Sequence, residues 1–421
     1  MTNRPSLRII HANIFTPTGH NARRGAEMNA LHHIEDGEVE AIGGTITYVG
    51  PTRDNAPSGI PVIDARGRAL LPGFVDSHTH TVFGGYRPDE FGWRMRGDSY
   101  MSIMERGGGI ASTVKATKTA THAQLEAKAR MYIDEMSRMG VTTVEMKSGY
   151  GLDRDTELKQ LEVIKALADD PSRKVEIVST FLGAHAMPAG YNGSNDDYID
   201  FLINEMLPVV KERRLAANCD IFCEKGVFTI DESRRLLTAA RDMGMGVKIH
   251  ADEIVNTGGA ELAAEVSALS ADHLLHISDE GISALAASST VATLLPLTAF
   301  ALREPYAPGR RLIDSSAAVA LATDFNPGSC FSCSIPLMIA IACIHMGLTV
   351  EETVTALTLN GAAALGIASD TGSIEEGKRA DMALLRFDSP SFLPYFTGLN
   401  CVDATIANGV VVSDSGHTSQ S

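Results

Sequence analysis

The stretch "GFVDSHTHTVFGGYR", residues 73–87, combines a short apolar run, two histidines one residue apart, and an arginine seven residues after the second histidine. Side chains alternate along a β-strand, so His78 and His80 point to the same side. Strands buried on both faces of a parallel sheet are nearly continuous apolar runs. The stretch therefore predicts a buried strand whose C-terminal end presents two imidazoles, followed by Arg87 in a loop.

Seven further apolar runs follow this strand, and helical stretches such as "HAQLEAKARMYIDEMSRMG" lie between most of them. Eight alternations of strand and helix predict a (β/α)8 TIM-type barrel over residues 71–365. The further predicted strands are "GVTTVEMKSGYG", "KVEIVSTFLGAH", "NCDIFCEKG", "GVKIHADE", "ADHLLHI", "TVATLLPLT" and "AVALATDFN".

The two ends of the chain differ from this pattern. Residues 1–70 and 366–421 contain short alternating stretches such as "EVEAIGGTITYVG" and "CVDATIANGVVV", interrupted by Gly and Pro. These features are typical of strands. We therefore expect one small β-sandwich, discontinuous in sequence and built from both termini.

Composition bounds the function classes. The 421 residues are 44% hydrophobic and 21% charged, with a net charge of −16, which argues against nucleic-acid and polybasic membrane contacts. The six cysteines do not complete a zinc motif and are expected to be buried or free thiols. No long apolar segment indicates a signal peptide or a membrane span, so we expect a cytoplasmic protein.

Polar residues stand at the ends of several predicted strands. His78 and His80 end the first strand, His250 ends the fifth, and Asp324 ends the eighth. Active sites of such barrels lie at the C-terminal ends of the strands. Three imidazoles and a carboxylate at this rim predict one divalent metal, Zn²⁺ or alternatively iron, with a coordination position left open for water.

These motifs also carry a family resemblance that spans the whole chain. "LPGFVDSHTH", the H-x-x-E in "HADE" and the aspartate after strand eight resemble the amidohydrolase superfamily, whose members flank the barrel with a β-sandwich from both termini. The motifs "DSHTHTVFGGYR", "EMKSGYGL", "FLGAHAMP", "IHADE", "ADHL" and "ATDFNPGSC" are similar to the branch that opens an imidazolone ring bearing a propionate, in histidine degradation.

The resemblance implies a hydrolase with one metal per chain that cleaves a cyclic amide C–N bond, and often a homodimer. Other members bridge two metals with a lysine on strand four, a position that Lys225 could only be forced to fill. Asp324 and His273 are expected to handle the proton of the attacking water, and His273 also to polarise the carbonyl. Glu253 is expected to carry a proton to the ring nitrogen. The division between Glu253 and His273 stays open.

The propionate gives Arg87 a function, because a guanidinium matches a carboxylate bidentately. Tyr150 and His185 are expected, from the resemblance, to bind the substrate. Asn326, Gly328 and Ser329 follow the metal aspartate and are expected to offer an amide and backbone N–H groups to a carboxylate, although "NPGS" is also an ordinary turn. "RGGGI", residues 106–110, is interpreted as a loop over the barrel mouth that could act as a lid.

Two alternatives remain. A one-metal aminohydrolase of the same superfamily, similar to cytosine or guanine deaminases, would share the ligands and the H-x-x-E motif. Arg87 and the tyrosine of "KSGYG" favour an anionic substrate instead. A non-catalytic scaffold of the same fold would be expected to lack ligands, and all four are present.

Overall fold

The computed structural model describes residues 5–54, 59–98 and 106–416. Its strands are β1 (Ser6–Thr16), β2 (His32–Ile42), β3 (Thr45–Pro51), β4 (Val62–Asp64), β5 (Ala69–Pro72), β6 (Phe74–Asp76), β7 (Val141–Lys147), β8 (Glu176–Ala184), β9 (Asn218–Cys223), β10 (Gly246–Ala251), β11 (Ser270–His273), β12 (Val291–Leu294), β13 (Ala318–Leu321), β14 (Met382–Leu385), β15 (Val402–Ala407) and β16 (Val410–Asp414).

The α-helices of the described residues alternate with the barrel strands and also follow the last of them. They are α1 (Pro88–Met95), α2 (Ile110–Thr119), α3 (His122–Arg138), α4 (Arg154–Asp169), α5 (Asn195–Phe201), α6 (Leu207–Glu212), α7 (Ile230–Asp242), α8 (Gly259–Glu265), α9 (Asp279–Ala287), α10 (Pro296–Leu302), α11 (Gly309–Asp314), α12 (Ile335–Ile344), α13 (Val350–Leu357), α14 (Leu359–Ala363) and α15 (Phe392–Tyr395). A 3₁₀ turn spans Gly25–Asn29, and a π-helical turn, Leu202–Met206, joins α5 to α6.

Strands β6 to β13 form the predicted parallel barrel, each hydrogen-bonded to the next in sequence order. The circle closes just beyond the ends of β6 and β13, where Thr79 and Phe325 form a parallel bridge. At this seam the Asp324 N–H donates to the His78 carbonyl at 3.0 Å, and the His80 N–H donates to the Phe325 carbonyl at 2.9 Å. The backbone bonds that close the barrel therefore fix three of the four predicted metal ligands relative to one another.

The helices pack on the barrel because their apolar residues recur on one face. Helix α3 begins at a capping box in which the Thr121 hydroxyl accepts a hydrogen bond from the Gln124 N–H. Its Leu125, Ala129 and Met136 side chains are buried against the barrel strands. The capping box and the apolar face together explain the boundaries and orientation of the helix.

The terminal segments form the second sheet, as predicted. Its strand order is β16-β15-β14-β5-β1-β2-β3, with β4 also paired to β1, so strands from the two ends of the chain meet where β14 pairs with β5. The sheet curls back on itself, because Thr45 at the start of β3 forms an antiparallel bridge with Arg379, just before β14, and Val39 and Ile46 share one apolar cluster with Met382 and Ile406. The division into domains at residues 70 and 365 stays a prediction.

No helix within the described parts of the chain is long and apolar enough to cross a membrane. This agrees with the absence of a long apolar run in the sequence.

An ion pair joins the two terminal segments. The Arg68 guanidinium, in the turn before β5, pairs with the Asp403 carboxylate of β15. The side chain of Asp403 is completely buried.

Replacing Arg68 by Met removes the charge partner of a buried carboxylate, so we expect the free energy of unfolding to fall by about 3 kcal/mol. Chemical unfolding followed by circular dichroism measures the change. The double variant Arg68→Met/Asp403→Asn should recover much of the loss, and equal stability of wild type and Arg68→Met would contradict this role.

Candidate metal centre and active site

Three imidazoles converge at the rim of the barrel. His78 and His80 follow β6 and His250 lies in β10, and one ring nitrogen from each lies within 4.8 Å of the others. The ring centroids of His78 and His250 are 4.5 Å apart. All three side chains are buried. The structure thus brings together the three histidines that the strand ends predicted.

The fourth predicted ligand completes this set. The Asp324 Oδ1 lies 3.6 Å from His78 Nε2 and 3.5 Å from His80 Nε2. Its other oxygen, Oδ2, accepts a 2.6 Å hydrogen bond from the Thr298 hydroxyl of α10. The backbone of Asp324 is left-handed, with φ +52°. Thr298 therefore leaves one carboxylate oxygen directed toward the histidines.

The outer nitrogens of two histidines are bound by carboxylates. His78 Nδ1 lies 2.6 Å from Asp272 Oδ2, and His250 Nδ1 lies 3.2 Å from Asp220 Oδ1. The Nε2 atoms of His78 and His250 are buried and have no hydrogen-bond partner among the described residues. A proton on each Nδ1 leaves the Nε2 lone pairs directed into the centre. These buried nitrogens without partners fit a metal ion.

A cluster of five charged side chains lies beneath the histidines. Lys147 Nζ is 2.7 Å from Asp220 and 2.8 Å from Glu145, and Lys248 Nζ is 3.2 Å from Glu145 and 3.5 Å from Asp272. All five side chains are completely buried. Burial opposes the charge of Lys147, but Asp220, Glu145 and Asp272 together raise its pKa above the usual value.

The charges of this cluster also favour a cation. With all five side chains charged, two lysines against three carboxylates leave one negative charge, and an ionised Asp324 adds a second, while burial raises the pKa of both Asp272 and Asp324. A divalent ion would bring the group to neutrality in a region of low dielectric, where an uncompensated charge is costly. Burial lowers the pKa of His78 far below its usual value, with Lys147 adding to the effect, so its imidazole is neutral and suited to ligation.

The centre opens into a cavity of about 230 Å³. Every predicted site residue except His78 lines this cavity. These residues are His80, Arg87, Tyr150, His185, His250, Glu253, His273, Asp324, Asn326, Gly328 and Ser329, and the wall is completed by Ile110, Ala186, Phe222 and Val227.

Glu253 and His273 face each other across one side of the cavity, with Glu253 Oε2 3.6 Å from His273 Nε2. Glu224 holds the loop after Glu253, because its Oε2 accepts hydrogen bonds from the Ile254 and Val255 N–H groups at 2.8 and 3.4 Å. Burial and the neighbouring Asp324 raise the pKa of Glu253 to about 8. Burial, together with His250, lowers the pKa of His273 well below its usual value. Glu253 is thus a protonated carboxyl at neutral pH beside a neutral imidazole.

Arg87 lies in the loop before α1, where Glu90 and Gly328 enclose its guanidinium. Arg87 Nε donates to Glu90 Oε2 at 2.9 Å. A Cβ on Gly328 would lie 2.3 Å from Arg87 Nη1, so the backbone at this position approaches the guanidinium more closely than any side chain would permit. Glycine at position 328 is therefore required by the present position of Arg87.

Asn326 organises the turn that follows Asp324. Its Oδ1 accepts hydrogen bonds from the Gly328 and Ser329 N–H groups, each at 2.8 Å, and its Nδ2 donates to the Asp324 carbonyl at 2.8 Å. The backbone N–H groups expected to be offered to a substrate carboxylate are thus engaged within the turn. The reason is the Asx geometry, in which a side-chain oxygen satisfies the N–H groups that follow it. Asn326 therefore acts on the cavity mainly through the shape of this turn.

His185 and Tyr150 also line the cavity. The His185 ring stacks on His80, with centroids 5.2 Å apart, and its Nδ1 lies 3.0 Å from the Gly149 carbonyl, to which it can donate. Burial, with His250 adding to the effect, lowers the pKa of His185 to about 3, so the ring is neutral. Burial raises the pKa of Tyr150 above its usual value, which keeps its hydroxyl protonated. Both side chains can offer hydrogen bonds without adding charge.

The residues that support the ligands were not predicted from the sequence. Glu145 precedes Lys147 by two positions and Lys248 precedes His250 by two positions, and strand alternation could have placed all of them inside the barrel. No simple sequence signal identifies Thr298, which reaches Asp324 from a helix. Lys225 is exposed, so it does not take part in the centre.

Comparison with known proteins agrees with this geometry. The profile of the amidohydrolase family matches residues 69–412. The chain belongs to the amidohydrolase family. It is 64% identical to the imidazolonepropionase of Phocaeicola vulgatus, over 97% of this chain and 99% of that protein. It is 61% identical to the imidazolonepropionase of Bacteroides thetaiotaomicron, over 96% of this chain and 98% of that protein.

A solved structure shows the same fold. The adenosine deaminase of Xanthomonas campestris, determined with bound zinc, superposes with a TM-score of 0.71, covering 96% of this chain and 92% of that chain at 20% sequence identity. At this identity the similarity establishes the architecture of barrel and terminal sheet. The full-length relatives place the chain among the imidazolonepropionases of the amidohydrolase family.

The Asp272–His78 contact gives a test of the metal centre. Asp272→Asn removes the negative charge that orients His78 Nδ1, and the loss of such a partner typically weakens metal affinity by about 10- to 100-fold. Competition for Zn²⁺ between the metal-depleted protein and a chromophoric chelator measures the affinity. Asp242→Asn, at an exposed position in α7, is the matched control. Equal affinity of wild type and Asp272→Asn would show that this carboxylate does not support a ligand.

Proposed function

We propose that this chain is an imidazolonepropionase, which hydrolyses the ring amide of 4-imidazolone-5-propanoate to N-formimidoyl-L-glutamate in histidine degradation. The observation that carries the proposal is the 64% identity to a curated imidazolonepropionase over nearly the full length of both chains. The cavity agrees with it, because four metal-ligand candidates, an arginine and two proton-transfer candidates line or underlie one small space.

His78, His80, His250 and Asp324 would hold one divalent metal, Zn²⁺ or iron. The converging buried nitrogens and the negative charge of the cluster beneath them support this assignment. When bound, the metal supplies Lewis acidity that activates a water molecule for attack on the ring carbonyl. The three histidine ligands and one aspartate leave a coordination position for that water.

Arg87 would bind the propionate of the substrate. Its guanidinium lines the cavity, and Glu90 occupies only part of its hydrogen-bonding edge, which leaves donors for a second carboxylate. Tyr150 and His185, which line the same cavity, would contact the imidazolone ring as neutral hydrogen-bonding groups. Gly328 and Ser329 would contribute cavity shape beside Arg87.

Two residues would transfer protons, and a third would stabilise the carbonyl oxygen. Asp324 would accept a proton from the attacking water; its Oδ2 is the oxygen held by Thr298, and its Oδ1 is the one that faces the histidines. His273 would donate a hydrogen bond to the carbonyl oxygen as negative charge develops there. Glu253, whose pKa is raised to about 8 by burial and Asp324, would deliver a proton to the ring nitrogen as the C–N bond breaks.

A cytoplasmic location, a homodimer and the absence of nucleic-acid partners also belong to the proposal. The net charge of −16 supports the last of these. Exposed aromatic side chains at Phe91, Phe300 and Phe331 provide apolar surface that suits a subunit contact.

The reaction itself can be tested directly. Purified, metal-assayed protein incubated with freshly generated imidazolonepropionate should remove its ultraviolet absorbance faster than spontaneous decay and yield formiminoglutamate, identified by mass. His78→Ala should abolish the acceleration because it removes a metal ligand. Ammonia release without formiminoglutamate would instead indicate an aminohydrolase, and no acceleration by the metal-loaded protein would exclude this substrate.

The close approach of Gly328 to Arg87 predicts a change in substrate affinity. Gly328→Ala places a methyl group where Arg87 Nη1 now lies, so the guanidinium must move, and we expect KM to rise by about tenfold, the equivalent of one charge-assisted hydrogen bond. Steady-state kinetics and the metal content measure the effect, and the metal content should not change. Gly92→Ala in α1 is the control, because a Cβ there would meet nothing closer than 3.6 Å. An unchanged KM in Gly328→Ala would argue against Arg87 as the propionate site.

A further inference from the structure

Glu90 uses its two carboxylate oxygens for two different partners. Oε2 accepts from Arg87 Nε at 2.9 Å and also lies 2.8 Å from Arg87 Nη2. Oε1 accepts a 3.0 Å hydrogen bond from the Gly109 N–H. Only 8% of Glu90 is exposed, so these contacts lie where water screens them little. One buried carboxylate therefore connects an arginine of the cavity with a separate part of the chain.

That part of the chain is the glycine segment, Gly107–Gly109, which leads into α2. Gly109 has φ +74°, a conformation that favours glycine, and the next residue, Ile110, lines the cavity. The Gly109 N–H donates to Glu90 directly before the backbone enters the cavity wall. The hydrogen bond to Glu90 thus lies one residue before Ile110 of the cavity wall.

Glu90 also determines which donors of Arg87 remain available. Its Oε2 takes the edge formed by Nε and Nη2, and Gly328 packs against Nη1. The side of the guanidinium formed by Nη1 and the remaining N–H of Nη2 is left for another carboxylate. Without Glu90, a long arginine side chain in the same cavity has several rotamers to choose from.

We infer that Glu90 is a positioning residue for anionic substrates, which orients Arg87 and couples it to the glycine segment at the cavity wall. This inference rests on the proposed binding of the propionate by Arg87. The carboxylate of the substrate and Glu90 would share one guanidinium, so that binding of the substrate and the placement of Ile110 become linked through a single side chain.

The first test separates binding from chemistry. Glu90→Gln keeps the shape of the side chain and an oxygen for Gly109, but removes the charge that holds Arg87. We expect KM for imidazolonepropionate to rise by about tenfold, the equivalent of one charge-assisted hydrogen bond, with a much smaller change in kcat. The propanamide analogue, which lacks the carboxylate, should show no such rise. Glu90→Asp, which keeps the charge on a shorter side chain, should lie between wild type and Glu90→Gln.

Asp98→Asn is the matched control. Asp98 also pairs with an arginine beside the glycine segment, since its Oδ2 lies 2.9 Å from Arg106 Nη1, but this pair is exposed and does not include Arg87. Its KM should stay close to the wild-type value. A rise in KM of Glu90→Gln that is equal for the acid and the amide would overturn the positioning role, because a general disturbance of the cavity affects both.

The second test does not depend on catalysis. Hydrogen–deuterium exchange of peptides covering residues 106–119 reports the Gly109 N–H. Both variants should speed exchange of the Gly109 N–H. Glu90→Ala removes the acceptor of this N–H, and Arg87→Met removes the guanidinium that holds the Glu90 carboxylate in place. Unchanged exchange in Arg87→Met would overturn the coupling. Failure of the wild-type enzyme to turn over imidazolonepropionate would instead overturn the proposed function, and the exchange result would still decide the coupling.

Discussion

The contact between the Lys147 ammonium and the Asp220 carboxylate, 2.7 Å long and completely buried, supports the rest of the active centre. Asp220 holds the outer nitrogen of His250, and Asp272 in the same cluster holds that of His78. Neither carboxylate could stay ionised in the barrel interior without a cation nearby, because isolated buried charges are costly. The two lysines therefore make it possible for the carboxylates to orient the histidines, and the histidines acquire the tautomer that a metal requires.

The barrel adds a geometric constraint to this electrostatic one. Asp272 points toward the barrel interior, where it reaches His78. Because side chains alternate along a strand, the next residue, His273, would be expected to point away from the interior. The backbone of His273 has φ +80°, a left-handed conformation that is unfavourable for a histidine, yet its side chain lines the cavity. Asp324 adopts φ +52° at the end of β13. Strained backbone at two cavity residues on different strands is expected where function determines the direction of a side chain.

Much of the fold followed from the sequence because apolar runs, helical periodicity and turn residues are local signals. The eight barrel strands occur where they were predicted, and so does the composite terminal sheet. The strand ends also indicated the ligands, since a parallel barrel collects all such ends on one rim. The links between loops could not be predicted in this way. The contact of Gly328 with Arg87 and the bond from Gly109 to Glu90 join residues far apart in sequence, and Asn326 satisfies N–H groups that the motif alone suggested were free.

The metal-ligand candidates and the carboxylate-recognition candidates lie in different parts of the molecule. The metal-ligand candidates lie at the barrel seam and on β10, above a charge cluster that tolerates little change, because removal of one charge leaves another unpaired. The carboxylate-recognition candidates lie in the loop before α1, in α1 itself and in the turn after Asp324, where Arg87 contacts both Glu90 and Gly328. Substrate preference can therefore change through a few loop residues while the centre that activates water is kept. An adenosine deaminase at 20% sequence identity has the same architecture, and the fold alone does not determine which reaction a barrel supports.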